Sequence, residues 1–278
     1  GTIVQFYVRA LDGLGEAATY PAGSTNAGAL YMVNDGQANL SRGHNFRVIL
    51  SPSNWSLLRA LTNLMSQDYL PGTLIYDEQR PYYDVGVRLK GSQSGRVVDP
   101  YPSFHLKFQS DDLFRGVHPD ILLDTSGRPG HANRQEEILY HHMASHAGGI
   151  PDIYQDMCRV IPPYQTNTTS GIAEPRLEDD FLATAYPDGS SGALWQMELT
   201  YYPTTANSAG YKLPSPQGYM GVDIKDLGDD KEAYRYNFIL KNHRAADDYS
   251  RFIPFAKTLT MTNRPILNAQ SKQVMDVD

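Results

Sequence analysis

Residues 72–109 carry the pattern that most restricts the fold. In "SFHLKFQ" (103–109), Phe104, Leu106 and Phe108 alternate with Ser103, His105 and Lys107. A period of two puts the two sets on opposite faces of a strand. Just before it, "GTLIYDEQRPYYDVGVRLKG" reads as two strands around the turn-rich "EQRPY". Strands near 72–78, 82–90 and 103–109 therefore make a sheet with one apolar face, which must be covered. Cys158 is the one cysteine, so no intramolecular disulfide and no cysteine-based zinc site can hold the chain. The cover has to be a hydrophobic core. The context "DMCRVI" makes Cys158 itself a buried strand thiol.

The rest of the chain mixes strands and helices without regular alternation, which indicates an α+β fold. "NFRVILS" (45–51) reads as a strand. Ser53 is placed to cap a helix through "NWSLLRALTNLMSQ", with Leu57, Leu58, Leu61, Leu64 and Met65 at helical spacing. A helix is expected over "ANRQEEILYHHMASHAG", with Gly148 as its C-cap, then strands over "YQDMCRVI" and "GALWQMEL". "DDKEAYRYNFILKNH" and "ADDYSRFIPFAKTLT" read as helices, and "QVMDVD" as the first turn of one more. Residues 1–36 stand apart. "TIVQFYVRALD" and "ALYMVND" flank a Gly/Ala/Pro loop, and together they resemble the last strands of an immunoglobulin- or fibronectin-like module. With no initiating methionine, the expectation is a piece of a longer protein: a β appendage over 1–36 and a main domain over 37–278.

The formal charge of −7 argues against nucleic acid as a partner, because phosphate backbones want a basic surface. No run of about 18 apolar residues is present, so no membrane span is expected. A basic local site is still compatible with the acidic body. Arg88 and Lys90 share one strand face, and Gly91-Ser92-Gln93-Ser94-Gly95-Arg96 follows with backbone N–H groups and hydroxyls. If Lys107 lies on a paired strand, it converges on the same place. An ordinary hairpin with a polar tip accounts for the same residues, and "GSQSGR" lacks the Gly-Lys-Ser/Thr ending of a phosphate loop. His142 and His146 are four apart on one helical face, but neither HExxH nor a third ligand accompanies them or His141. Gln93 stands where a hydrolase elbow needs serine. The acidic clusters Glu174, Glu178, Asp179, Asp180 and Asp223, Asp226, Asp229, Asp230 lack the alternation of a calcium loop.

Two of these motifs, taken in order, resemble a known family. "VGVRLKGSQSGR" followed by "SFHLKF" is similar to the paired signature of the spore-coat protein H (CotH) family: an Arg-Gly-Asn-Ser-Ser strand end, then a strand ending in lysine and an aromatic. Lys90 to Ser94 match the first element, and Ser103 to Phe108 the second. "RQEEILYHHMASHAG" resembles the helix that follows. "GIAEPRLEDDFLATAYPDGSSGALW" is similar to the family's glutamate-containing segment. The resemblance covers about residues 45–278, in the version found in large bacterial surface proteins.

The resemblance implies an atypical protein-kinase-like fold with a mixed sheet and flanking helices. It also implies ATP with Mg or Mn as cofactors, a protein Ser/Thr substrate, and an extracellular or cell-surface location. Nucleotide phosphates would be held by Arg88, Lys90, Ser92, Ser94 and Lys107, with Glu174 orienting a lysine or contacting nucleotide. The chain departs from the family at three places. Lys90 replaces the usual loop arginine. Tyr101 and Pro102 replace paired lysines. The family's catalytic and metal-binding aspartates lie in segments beyond Asp278, so this chain by itself is expected not to transfer phosphate, even if it binds ATP. The rival expectations are a non-catalytic structural or adhesion module, and a carbohydrate- or calcium-binding surface module using the Tyr-rich stretch 201–219 and the acidic clusters.

Overall fold

A computed structural model describes residues 2–33, 43–60, 62–64, 66–91, 96, 102–125, 135–148, 151, 153–164, 168–177, 179–197, 202–206, 208, 212–213, 223–235 and 237–274. It has two compact units. One runs from Gly1 to Arg176 and includes Ser208–Tyr211. The other comprises Leu177–Asn207 and Lys212–Asp278.

The first unit begins with four short strands: β1 (Ile3–Gln5), β2 (Val8–Leu11), β3 (Ala17–Tyr20) and β4 (Leu30–Met32). β1 pairs with β4 and β2 with β3, both antiparallel. The β2–β3 turn is closed by Asp12, whose Oδ1 accepts from the amides of Leu14 (2.8 Å) and Glu16 (2.9 Å). Residues 27–30 are buried. The Gly28 amide donates to Asp84 Oδ1 at 2.9 Å, and the Leu30 amide donates to Thr73 Oγ1 at 2.9 Å. Gly28 lies so close to the Pro71–Gly72 backbone that a Cβ would overlap it.

The body of this unit is a closed seven-stranded barrel. Its strands are β5 (His44–Leu50), β6 (Leu70–Tyr76), β7 (Arg80–Leu89), β8 (Phe104–Lys107), β9 (Asp120–Asp124), β10 (Asp156–Ile161) and β11 (Thr169–Glu174), arranged in the order β10-β11-β9-β8-β7-β6-β5. β5 to β9 run as an antiparallel meander. β10 and β11 pair with each other and fill the gap between its edges: β11 antiparallel to β9, β10 parallel to β5. The α+β class and the mixed sheet are therefore present, and the sheet closes on itself. Alternation decides which face is inside. Val85, Val87, Leu89, Phe104, Leu106 and Leu123 are fully or almost fully buried in the barrel core. Gly86, Arg88, His105, Lys107, Asp120 and Asp124 lie on the outer face.

Helix α1 (Pro52–Arg59) packs Trp55 and Leu58 into the core. Its cap is Ser51, not Ser53: Ser51 Oγ accepts from the Asn54 amide at 3.2 Å, which leaves Pro52 at the first helical turn, where its missing N–H costs nothing. The helix ends at Arg59, because Ala60 turns extended, well before residue 67. α2 (Gln135–Gly148) leaves Leu139, Tyr140 and Met143 exposed. Cys158 lies buried on β10, as its sequence context indicates.

The second unit contains α3 (Asp179–Ala185), β12 (Trp195–Met197), β13 (Tyr202–Ala206), β14 (Lys212–Leu213), α4 (Glu232–Arg235), β15 (Phe238–Leu240), α5 (Phe252–Leu259) and α6 (Arg264–Val274). Its core gathers Tyr234, Phe238, Leu240, Tyr249, Phe252 and Ala256. The helix expected over 229–243 is one turn only. Residues 238–240 instead pair antiparallel with β12, and buried Asn242 locks the pairing by bonding Leu194 N and Gly192 O, each at 2.8 Å. The last helix starts at Arg264, nine residues before the turn expected at 273.

Candidate functional site

Lys90 sits one residue past β7. Its amide donates to Ser103 O at 2.9 Å and extends the β7–β8 ladder by one rung. Gly91 then takes φ +100, which breaks the strand at a position side chains avoid. Buried Arg96 anchors this break: Nε donates to Gly91 O at 2.7 Å, and Nη1 to Leu64 O (3.1 Å) and Ser66 O (3.0 Å). Ser92 and Ser94 lie outside the described residues.

The Lys90 ammonium lies on the barrel's outer wall between two carboxylates. One is Asp124 Oδ2 at the end of β9; the other is Glu174 Oε1, 3.2 Å away at the end of β11. Ser103 Oγ reaches Asp124 Oδ1 at 3.4 Å and accepts from the Thr125 amide at 2.8 Å. The second oxygen of buried Glu174 accepts from Gln155 Nε2 at 3.1 Å, and the same amide reaches Glu137 of α2 at 3.2 Å. Burial pushes the Lys90 ammonium down, but the charges of Asp124 and Glu174 more than offset it, so its pKa stands above the ordinary lysine value. Lys90 is therefore charged, between two carboxylates.

Arg88 and Lys107 share this outer face but belong to a second cluster. Gly86 is opposite Lys107, Arg88 opposite His105, and Lys90 opposite Ser103. Lys90 and Lys107 are thus offset by four residues of strand, about 13 Å. Instead Arg88 and Lys107 both approach Tyr69, at 5.4 and 5.8 Å from the ring centroid. The Tyr69 hydroxyl is 3.2 Å from the His105 ring nitrogens. His105 Nε2 lies 3.6 Å from Asp120, and Asp120 also meets Arg176 at 3.5 Å. Burial, the largest influence on His105, lowers its pKa; Asp120 opposes this, and Arg88 and Arg176 reinforce it.

A third cluster rims one end of the barrel. Arg115 donates to Tyr154 OH at 2.8 Å, to Tyr76 OH, and to Asp156 at 3.4 Å. His44 bridges Asp77 (2.7 Å) and Tyr76 OH (2.6 Å). The cavity beneath, lined by Phe46, Phe114, Ile121 and Ala173 among others, measures about 10 Å³ and has room for no more than a water.

The remaining candidates lie away from these three clusters. His146 Nδ1 bonds His142 O at 2.8 Å along α2. Among the described residues, no group of three or more His, Cys, Asp or Glu is placed to hold a metal. Asp226 and Asp230 close turns onto the amides of Gly228 (2.9 Å) and Glu232 (3.0 Å), and Asp229 pairs with Lys257 at 2.6 Å. Most of the Tyr-rich stretch 201–219, together with Glu178, lies outside the described residues, as do the side chains of Asp179 and Asp180. No family model matches the chain, and neither a curated protein nor a solved structure matches it.

Proposed function

We propose that this chain is a nucleotide-binding module of the spore-coat protein H type, in an atypical kinase-like protein working outside the cell or at its surface. On this reading the barrel wall serves as the kinase-like nucleotide sheet, and Lys90 is the phosphate-contacting lysine. The observation that supports it is the Lys90–Glu174 ion pair at 3.2 Å beside a strand-breaking glycine. Kinases hold the equivalent lysine with a glutamate. Glu174 fixes the ammonium in place, so little side-chain entropy is lost when a phosphate arrives.

The charge balance adds a condition. One ammonium against two carboxylates repels a bare triphosphate. Magnesium is commonly held by one or two carboxylates plus substrate phosphates, and Asp124 and Glu174 supply such hard oxygen donors. When bound, Mg²⁺ or Mn²⁺ would neutralise phosphate charge there. Asp124, which also accepts from Ser103, and Glu174 would be the carboxylates that hold the ion.

The test is titration of the protein with ATP, with and without MgCl₂, by calorimetry. Binding is expected only with the metal, and Lys90→Met and Glu174→Gln should each weaken it about tenfold or more, the equivalent of ~1.4 kcal/mol. Thermal melts confirm that the variants are folded. Absence of ATP binding by the folded wild type, or equal affinity in Lys90→Met, overturns the proposal.

A further inference from the structure

We propose that the outer face of β7 and β8 around Tyr69 is a docking surface for an acidic, extended segment of a partner protein. The proposal does not depend on the nucleotide reading, because it uses a different cluster. On the barrel, Arg47 pairs with Glu78, Arg80 with Asp112, Lys90 with Asp124 and Glu174, Arg115 with Asp156, and Arg176 with Asp120. Arg88 and Lys107, like Arg159 of β10, differ: among the described residues, no carboxylate lies within ion-pair distance of them, and of the three it is Arg88 and Lys107 that stand together beside Tyr69. Lys107 is opposite Asp120 across the β8–β9 ladder, but that carboxylate meets Arg176, and His105 beside Arg88 is held towards its neutral form. The cluster therefore carries excess positive charge on a chain whose formal charge is −7. An acidic segment is repelled by most of the surface and attracted here.

The cations are also positioned in advance. Tyr69 lies across β7 over Gly86, where a Cβ would come 3.0 Å from the Tyr69 Cβ and 3.1 Å from its Cγ. From there the ring contacts both Arg88 and Lys107 and its hydroxyl is tied to His105. Cations fixed by cation–π contact lose less freedom on binding. Arg88 and Lys107 are diagonal neighbours across the ladder, about 7–8 Å apart at the backbone. Alternate side chains of an extended peptide repeat at about 7 Å. Two carboxylates at i and i+2 of such a peptide match the two cations. Lys107 is exposed and Arg88 and Tyr69 are partly so, which suits a polypeptide laid along the surface better than an enclosed small molecule.

The experiment is fluorescence anisotropy with a fluorescein-labelled peptide of alternating Asp and Ser, against an Asn-Ser peptide of equal length. Inorganic phosphate is the competitor. Binding of the acidic peptide alone, weakened by salt and at least about tenfold weaker in Arg88→Gln/Lys107→Gln, is the expected result. Equal binding of both peptides, no change in the double variant, or full displacement by millimolar phosphate overturns it. ATP affinity is measured on the same double variant. Joint loss of peptide and ATP binding would mean one undivided cradle and also overturn the proposal. If the wild type binds no ATP at all, the peptide result still decides it.

Discussion

His105 is a titratable ring folded into a nearly inaccessible place, 1% exposed beneath Tyr69 and beside Asp120. Its folded pKa lies below the ordinary 6.5. An unfolded chain therefore takes up a proton in a range where the folded protein resists it. The stability this ring contributes is complete above about pH 6.5 and is lost as the pH falls towards the folded value. Urea midpoints measured from pH 7.5 down to about 5 should decline in the wild type and decline less in His105→Gln; identical slopes would show that the ring does not titrate on unfolding. Residue identity reveals only part of such chemistry. Lys90 is readable because it ends a strand that carries Arg88 on the same face and leads into a Gly/Ser loop. Asp124 has no such setting, yet "DILLD" carries the signal: Asp120, Leu122 and Asp124 alternate with buried Ile121 and Leu123, and a strand there brings Asp124 beside Lys90. What no sequence pattern supplies is the register. The same alternation that unites Arg88, Lys90 and Lys107 on one face leaves open how far apart they lie along it. Only the Gly86–Lys107 pairing separates them into two clusters.

At the scale of elements, strands with one apolar face are the legible part, and the three over 72–109 appear as β6, β7 and β8. The misread elements are short ones whose partner is remote. Phe238–Leu240 has a pattern a helix would accept, and it becomes a strand because Trp195–Met197 offers backbone partners. Barrel closure is invisible locally, since it depends on where β10 and β11 insert. The amino-terminal strands show how strongly a small element can be tied down. Gly28 donates to Asp84 and packs backbone to backbone on Gly72. Gly28→Ala forces that contact apart and should destabilise the protein by about 1–3 kcal/mol, as overpacking does. Limited proteolysis should then cut within residues 2–33 faster than in the wild type. An unchanged cleavage rate would mean that this contact does not hold the appendage.

For the whole molecule, the order of strands matters more than their number. The meander β5–β9 can form by successive local hairpins, whereas β10 must find β5, the most sequence-distant pairing in the barrel. Truncations on the two sides of that step should behave differently. Leu106→Ala, in the meander core, should cost about 2–5 kcal/mol and slow refolding. Val160→Ala, on the inserting pair, should chiefly speed unfolding. Stopped-flow refolding of both variants measures this, and equal slowing of refolding would place closure before the folding barrier. The Lys90–Glu174 contact spans the β9–β11 join, with the lysine on the meander and the glutamate on the inserted pair. It acts as a clasp across the join between the meander and the inserted pair. Any molecule that grips both residues therefore prolongs the life of the closed barrel, and the unfolding rate becomes a clock that registers occupancy even where no chemistry follows.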